Sequence, residues 1–215
     1  MKLYFLAIPI FIGIFFGIFI SYNEEIPTDS NALTKENLLD GSTILGDPNA
    51  KITMVEFGDY QCTFCHKFHK DTMSQIHKKY IDTGNVNFVY KDFPLNGKDS
   101  ILAAEASYCA QKQNAFWIYH EMLYDNWGGE NTGWITHDIL LVFARNSGLN
   151  LDEFQSCMND SEFRQKVLKN EQFAKKININ ATPSFLIFND NEVYRIIGAQ
   201  PLEKFEQVFV EFGLS

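Results

Sequence analysis

The stretch QCTFCHKFH, residues 61–69, contains Cys62 and Cys65 with two residues between them and His66 directly after. This spacing fits three chemistries: the attachment of a c-type haem, half of a zinc site, or a redox dithiol. Spacing alone does not choose between them. The segments on either side of the motif indicate both its chemistry and the fold.

The motif lies between a strand pattern and a helix pattern. KITMVEF at 51–57 has the length and composition of a strand, and 65–80 has the apolar spacing of a helix. NVNFVY at 85–90 predicts a second strand. The crossover between the two strands is long enough to make them parallel neighbours, so the chain opens as a βαβ unit.

A succession of helical patterns fills residues 98–176, after which strand patterns return at 183–188 and 192–198. The polar residues 189–191 between those strands predict a hairpin turn, and Pro201 is expected at the first position of a last helix. The order is therefore βαβ, a helical insertion and ββα, which is an α/β fold.

These patterns divide the chain into one domain with an insertion. Residues 43–97 and 177–215 are expected to form the α/β domain, 98–176 an inserted helical domain, and the polar stretch 22–42 a tether. With 215 residues, 46% of them apolar, the chain can bury a core that needs no metal or haem to hold it together.

Residues 1–21 are expected to direct the chain to a membrane. Positions 3–20 form an eighteen-residue apolar run without charge, short for a membrane span and long for the core of a signal peptide. An uncleaved anchor is favoured over a cleaved signal peptide, because no small-x-small cleavage pair follows cleanly. Lys2 ahead of the run favours a cytoplasmic N-terminus. Under both alternatives, membrane-anchored or secreted or periplasmic, the domain lies outside the cytoplasm, where disulfides persist.

Charge excludes one class of partner. The net charge is −9 and no basic run is present, which argues against binding of nucleic acid. No cofactor and no metal are expected. Because no oligomerisation element is evident, the chain is expected to be a monomer.

The position of the cysteine motif favours the redox dithiol. A structural zinc site normally needs four ligands in two clusters, whereas the other cysteines, Cys109 and Cys157, are isolated in helical patterns. A haem would need a pocket among the strands. A Cys-x-x-Cys pair that follows a strand and opens a helix instead puts Cys62 at the helix N-terminus, where free N–H groups and the dipole favour a thiolate. Cys65, one turn inward, is then the buried partner.

Glu56 lies in the strand before the motif, among apolar neighbours. A central parallel strand is buried on both faces, so Glu56 would lose solvent, which disfavours its charged form. Such a carboxyl is suited to moving the proton of Cys65; the alternative is an open strand end, where it is only solvated. Asp59 is expected in a turn or at the surface. His66 and His69 are expected as solvated helix positions, with His66 also able to tune the first cysteine.

The chain resembles a DsbA-type member of the thioredoxin superfamily, and is similar in particular to the membrane-tethered, BdbD-like proteins. The matching segments are GDPNAKITMVEFGDYQCTFCHKFH, FVYKDFPL, AAEASYCAQKQNAFWIYHEMLY and ATPSFLIFND, which run from about residue 46 onward. The resemblance implies a thioredoxin fold with an inserted helical domain. It also implies that Cys62 is the nucleophile, Cys65 its buried partner, Glu56 the strand carboxyl and Pro183 a cis-proline opposite the disulfide.

The same resemblance implies an extracytoplasmic oxidoreductase that introduces disulfides into secreted or surface proteins through Cys62 and Cys65. Unfolded or reduced protein substrates would pair with the backbone of Thr182, beside Pro183, and a membrane partner of the DsbB or VKOR type would reoxidise the enzyme. A reductase or isomerase with the same residues is one alternative. A non-catalytic thioredoxin-fold binding module is the other.

Two features refine this resemblance. The best-known members carry Pro-His between the cysteines, where this chain has Thr63 and Phe64. Phe64 cannot donate the hydrogen bond by which that histidine stabilises the thiolate, so the oxidising strength stays open. Some DsbA-like proteins have a second disulfide in the insertion, and Cys109 and Cys157 are expected to form one; two buried free thiols are the alternative.

Overall fold

The computed structural model describes residues 34–159 and 161–214. The expected anchor or signal peptide, 1–21, lies outside the described residues, as does most of the expected tether, 22–42. Within the described ranges, no helix is both long and apolar enough to cross a membrane.

In the described residues, one mixed sheet is formed by β1 (Ile44–Leu45), β2 (Ile52–Gly58), β3 (Val86–Asp92), β4 (Ser184–Phe188) and β5 (Val193–Ile197). The order across the sheet is β1-β3-β2-β4-β5. β2 and β3 are parallel, and every other pair of neighbours is antiparallel. The parallel pair confirms the expected βαβ unit, and β4 and β5 confirm the expected hairpin. β1 was not expected, because two residues carry too little pattern to indicate a strand.

The described helices are α1 (Lys35–Leu39), α2 (63–81), α3 (Lys98–Lys112), α4 (Phe116–Asp125), α5 (His137–Asn146), α6 (Leu151–Met158), α7 (Ser161–Lys176) and α8 (Leu202–Glu211). Helices α3 to α7 lie between β3 and β4, which confirms the helical insertion in a thioredoxin-like fold.

Helix α2 begins within the cysteine motif, directly after Cys62, and is irregular. Its α-helical turns, Thr63–Phe68 and Ser74–Ile76, alternate with π-helical turns at His69–Met73 and His77–Ile81. π-Helical turns are rare and recur at functional sites. The apolar spacing predicted the helix at 65–80 but gave no sign of these turns.

Alternate residues of β2 face two different cores. Met54 belongs to the larger core, together with Phe68 of α2. Val55 belongs to a smaller core on the opposite face, together with Leu38 of α1 and Ala174 of α7. Because both faces are covered, all seven residues of β2 are buried, which explains the nearly continuous apolar sequence of this strand.

The end of the expected tether belongs to the fold. Helix α1 begins after Thr34, whose Oγ1 accepts a hydrogen bond from the Asn37 N–H at 3.2 Å. Leu38 is buried in the smaller core. The polar composition of 22–42 gave no indication that Leu38 would pack against an apolar face of the sheet.

Two details of the helices bear on the sequence analysis. Pro201 precedes α8 rather than taking its first position, because its backbone is extended with ψ 162°. Cys109 of α3 and Cys157 of α6 are joined by a disulfide, with their Cα atoms 5.6 Å apart. The bridge ties two helices of the insertion to each other.

Candidate active site

Cys62 lies where the turn after β2 meets α2. Its N–H donates to the Asp59 carbonyl oxygen at 3.0 Å, which closes the turn. Its side chain caps α2, since Sγ accepts a hydrogen bond from the Cys65 N–H at 3.5 Å. Both cysteines are free thiols in this structure. The local sequence thus places one sulfur at the helix N-terminus, where backbone N–H groups lack helical partners.

The two thiols differ in acidity. A hydrogen bond from the Cys65 thiol, together with others from the Thr182 side chain and the backbone of α2, lowers the pKa of Cys62 to about 7 against the opposing effect of burial. Burial raises the pKa of Cys65 well above its usual range, and its hydrogen bond to Cys62 and the charge of Glu56 act in the same direction. Near neutral pH, therefore, Cys62 ionises and Cys65 stays protonated.

Thr182 and Pro183 meet the motif from the far end of the chain. The peptide bond between them is cis. The Cys62 Sγ donates to the Thr182 carbonyl oxygen at 3.4 Å. The Pro183 carbonyl oxygen accepts the Gly198 N–H at 2.8 Å, which fixes this loop to the end of β5. A backbone segment thus lies directly beside the more acidic sulfur.

Glu56 is fully buried, so the alternative of an open strand end is wrong. Its Oε2 lies 2.9 Å from Nε2 of His69. Its Oε1 is buried with no hydrogen-bond partner among the described residues. The expectation of a solvated His69 is also wrong: its side chain is 10% exposed and turns inward. A buried carboxyl needs a polar partner, and His69 provides one.

Aromatic and histidine side chains surround this pair. The His69 ring stacks on Tyr124 with centroids 3.9 Å apart and meets the edge of His120 at 4.9 Å. The Tyr124 hydroxyl lies 3.1 Å from that of Tyr90. Burial raises the pKa of both tyrosines well above the usual range and lowers that of His120 well below it. These groups are therefore uncharged near neutral pH, and sequence reasoning assigned none of them to the site.

Comparison with known proteins agrees with this geometry. A family model described as Thioredoxin matches residues 39–208. Disulfide bond formation protein D of Bacillus subtilis (strain 168) is 30% identical over 174 residues, which cover 80% of this chain and 78% of that protein. The chain is a DsbA-like thiol–disulfide oxidoreductase of the thioredoxin superfamily.

Two solved structures resemble this oxidoreductase closely. Oxidised BdbD from Bacillus subtilis matches with a TM-score of 0.72 at 29% identity, over 81% of this chain and 94% of that chain. Wolbachia pipientis alpha-DsbA1 matches with a TM-score of 0.71 at 30% identity, over 81% of this chain and 92% of that one. The likeness therefore extends over the fold and its insertion.

The insertion of this DsbA-like chain reaches the cysteine motif through the loop after α4. Trp127 Nε1 donates to the Gln61 carbonyl oxygen at 3.0 Å. Glu130 Oε2 accepts hydrogen bonds from the Thr63 N–H at 3.2 Å and the Thr63 hydroxyl at 3.1 Å. A carboxylate thus lies at the start of α2. Contacts across so many positions leave no local signal in the sequence.

Other residues near the motif hold its shape. Asp59 is buried, not at the surface: its carboxylate oxygens accept the N–H groups of Gln61 and Asn96, each at 2.8 Å, and burial raises its pKa. His66 is half-buried, stacked on Trp127 with centroids 4.6 Å apart. The expectation of a solvated His66 is therefore correct only in part, because Trp127 of the insertion covers one face of its ring.

Among the described residues, no three or more His, Cys, Asp or Glu side chains are grouped so that they could hold a metal ion. The histidine that would complete a site with Cys62 and Cys65 is His69, whose Nε2 is already paired with Glu56.

Proposed function

We propose that this DsbA-like oxidoreductase works as an oxidase that introduces disulfides into proteins outside the cytoplasm. Cys62 is the sulfur that exchanges with substrate, and Cys65 is the buried partner. The observation that carries the proposal is the unequal pair: Cys62, with a pKa of about 7, caps α2, while burial keeps Cys65 protonated. A thiol with a lowered pKa is the better leaving group, so the mixed disulfide to Cys62 is released readily.

The oxidising reaction has two exchanges. A substrate thiolate attacks Sγ of Cys62 in the Cys62–Cys65 disulfide, and Cys65 leaves and takes up a proton. A second substrate thiolate then attacks the substrate sulfur of the mixed disulfide, and Cys62 leaves as a thiolate. The substrate gains a disulfide and loses two electrons, which the reduced cysteine pair retains.

Thr182 and Pro183 form the proposed substrate-binding backbone. The Thr182 carbonyl oxygen lies 3.4 Å from the Cys62 sulfur, so a peptide linked to that sulfur runs alongside this segment. An extended peptide can add to it as a strand through backbone hydrogen bonds. Such backbone pairing depends little on the side chains of the substrate, which suits an enzyme that acts on many unfolded or reduced proteins.

Glu56 is proposed to exchange the proton of Cys65. Both side chains are fully buried, and the charge of Glu56 bears on the Cys65 thiol. Its Oε1 has no hydrogen-bond partner among the described residues, so one oxygen is free to accept a proton. A positioned carboxyl that takes up the proton as the thiolate forms lowers the barrier to exchange.

The cellular setting is likewise a proposal. The Cys109–Cys157 disulfide supports an oxidising compartment, since structural disulfides are rare in the cytosol. Residues 1–21 are the proposed membrane anchor, with a cleaved signal peptide as the alternative. A membrane partner of the DsbB or VKOR type would reoxidise the cysteine pair, and the enzyme acts as a monomer.

Trapping of intermediates tests the proposed roles. Cys65→Ala removes the thiol that can expel a bound substrate from Cys62, so mixed disulfides that form when the Cys62 thiolate attacks substrate disulfides should accumulate when the full chain is expressed. Cys62→Ala is the matched control, with a thiol left at the buried position. The measurement is a gel shift that reductant abolishes. Trapped species in Cys62→Ala, with none in Cys65→Ala, would reverse the roles.

A further inference from the structure

Cys65 has no direct route to water for its proton. Its side chain is fully buried, and so is that of Glu56 beside it. Thiol exchange requires Cys65 to lose a proton in one direction and to regain one in the other. A buried carboxyl that takes part must itself exchange with solvent before the next turnover. A further group must therefore connect Glu56 to water.

His69 is placed to make that connection. Its Nε2 lies 2.9 Å from Oε2 of Glu56, and its side chain is 10% exposed whereas that of Glu56 is 0%. The ring lines a cavity of about 360 Å³, which also borders the exposed residues Lys70 and Asp125. One imidazole thus touches the buried carboxyl and a cavity that reaches the surface.

We propose that His69 relays the proton of Cys65 between Glu56 and water in this cavity. The inference rests on the proposed function, because it assigns the proton path of the same cysteine pair. His69 acts through Glu56 and does not touch sulfur, so it is a positioning residue for the reaction.

The step balances as follows when a mixed disulfide on Cys62 is resolved. The Cys65 thiol gives its proton to Glu56, and the Cys65 thiolate attacks Sγ of Cys62. The bond from Cys62 to the partner sulfur breaks, and the partner leaves as a thiolate with the electron pair of that bond. The imidazolium of His69 releases a proton to water as Glu56 becomes neutral, so the buried pair carries no net charge before or after.

Several titratable groups surround Glu56 and His69, and they come from the turn before α2, from α2 itself, from β3 and from α4. They are Tyr60, Cys65, His66, Lys70, His77, Tyr90, His120, Glu121, Tyr124 and Asp125. Burial keeps His120 uncharged by lowering its pKa well below the usual range. Burial likewise raises the pKa values of Tyr90 and Tyr124 well above theirs. None of these three therefore replaces His69 as a carrier of protons near neutral pH.

A purely structural role for His69 is the alternative, in which the ring only donates a hydrogen bond to Glu56. His69→Gln separates the two roles, because a glutamine amide can occupy the position of Nε2 and donate the same bond but cannot carry a proton at neutral pH. His69→Ala removes the ring and leaves space beside the cavity. His77→Gln is the matched control, since His77 lines the same cavity but pairs with Asp82.

The reaction of the reduced full chain with 5,5′-dithiobis(2-nitrobenzoate) measures both thiols in stopped flow. The first release of coloured thiolate reports the attack of Cys62, and the second reports resolution by Cys65. We expect His69→Gln to leave the first phase within about twofold of wild type and to slow the second roughly tenfold or more at pH 7. The second phase should recover as pH rises, because hydroxide in the cavity can then accept the proton that His69 no longer relays.

Imidazole added to the buffer should restore the second phase of His69→Ala without changing wild type, and His77→Gln should match wild type in both phases. A wild-type second phase and pH profile in His69→Gln would overturn the relay, as would a slow His69→Ala that imidazole does not restore. Thermal unfolding checks that each variant is folded. If His69→Gln is not folded, the test rests on His69→Ala and its response to imidazole. A wild-type chain without a first phase would instead refute the proposed function itself.

Discussion

Cys62 and Cys65 carry the same side chain, and their surroundings give them different chemistry. Hydrogen bonds lower the pKa of Cys62 to about 7, while burial raises that of Cys65 well above its usual range. A thiol with a pKa near the ambient pH balances thiolate fraction against nucleophilicity. Phe64, which stands between them, is 60% exposed and donates no side-chain hydrogen bond to the thiolate. We therefore expect a milder oxidant than members of the family with a histidine there.

Glu130 is expected to restrain the acidity of Cys62. Its carboxylate accepts the N–H of Thr63 at the start of α2, where negative charge competes with the thiolate for the same positive helix end. Glu130→Gln keeps a hydrogen-bond acceptor and removes the charge. We predict that it lowers the pKa of Cys62 by about 0.2 to 0.7 units, measured from thiolate absorbance during a pH titration.

Glu36→Gln is the matched control for that titration, because Glu36 is an exposed acid in the first turn of α1. Helix α1 packs on the opposite face of the sheet from the cysteine motif, so this variant removes the same charge and should leave the pKa of Cys62 unchanged. High salt should shrink the effect of Glu130→Gln, since exposed charges are screened. A rise in the pKa of Cys62 in Glu130→Gln would contradict the placement of this carboxylate.

At the scale of elements, the Cys109–Cys157 disulfide holds α3 to α6. The bridge closes a loop of 48 positions, for which the chain-entropy model gives roughly 4 kcal/mol of stabilisation. We predict that Cys109→Ala/Cys157→Ala lowers the free energy of unfolding by up to about that amount, measured by urea denaturation. The rate of thiol exchange at Cys62 should change little, because neither residue belongs to the motif.

That exchange rate is the internal control for the double variant. A variant as stable as the wild-type chain would show that the bridge does not restrain the unfolded insertion. Loss of exchange at unchanged stability would instead tie the bridge to the active site.

The sequence predicted elements well where their hydrophobic period was strong. β2, β3 and the hairpin of β4 and β5 follow from apolar runs and turn residues, and the helices of the insertion from their spacing. Helix α1 and strand β1 were not predicted, because each is held by one or two residues that pack against an apolar surface distant in the sequence. The π-helical turns of α2 were not predicted either, since the spacing of apolar residues does not distinguish π-helical from α-helical turns.

At the scale of the whole molecule, the site is assembled from distant parts of the chain. Cys62 and Cys65 were found by their position between strand and helix, which is a local signal. Thr182 lies 120 positions beyond Cys62 and was reached only through the family resemblance. Glu130 lies 67 positions beyond Thr63, and no pattern links the two. Such contacts depend on how the insertion packs, which local periodicity does not encode.

His69 shows why a local prediction failed. A histidine one turn after a motif cysteine lies on a helix that is exposed along part of its surface, so solvation was the expectation. Glu56 on the facing strand is buried, and a carboxyl without solvent needs a polar partner. His69 provides that partner and is therefore turned inward instead of being solvated. The partner was predictable only by pairing β2 with α2 in three dimensions.

The reduction potential of the Cys62–Cys65 pair in the full chain tests the proposed oxidase most directly. The chain would be equilibrated in glutathione buffers of graded ratio, and the thiols counted by alkylation and mass spectrometry. For the proposed oxidase we predict a value between about −180 and −120 mV, in the range of enzymes that donate disulfides. A value of about −270 mV, that of a cytosolic reductant, would contradict the proposal and assign the same two sulfurs to a reductase.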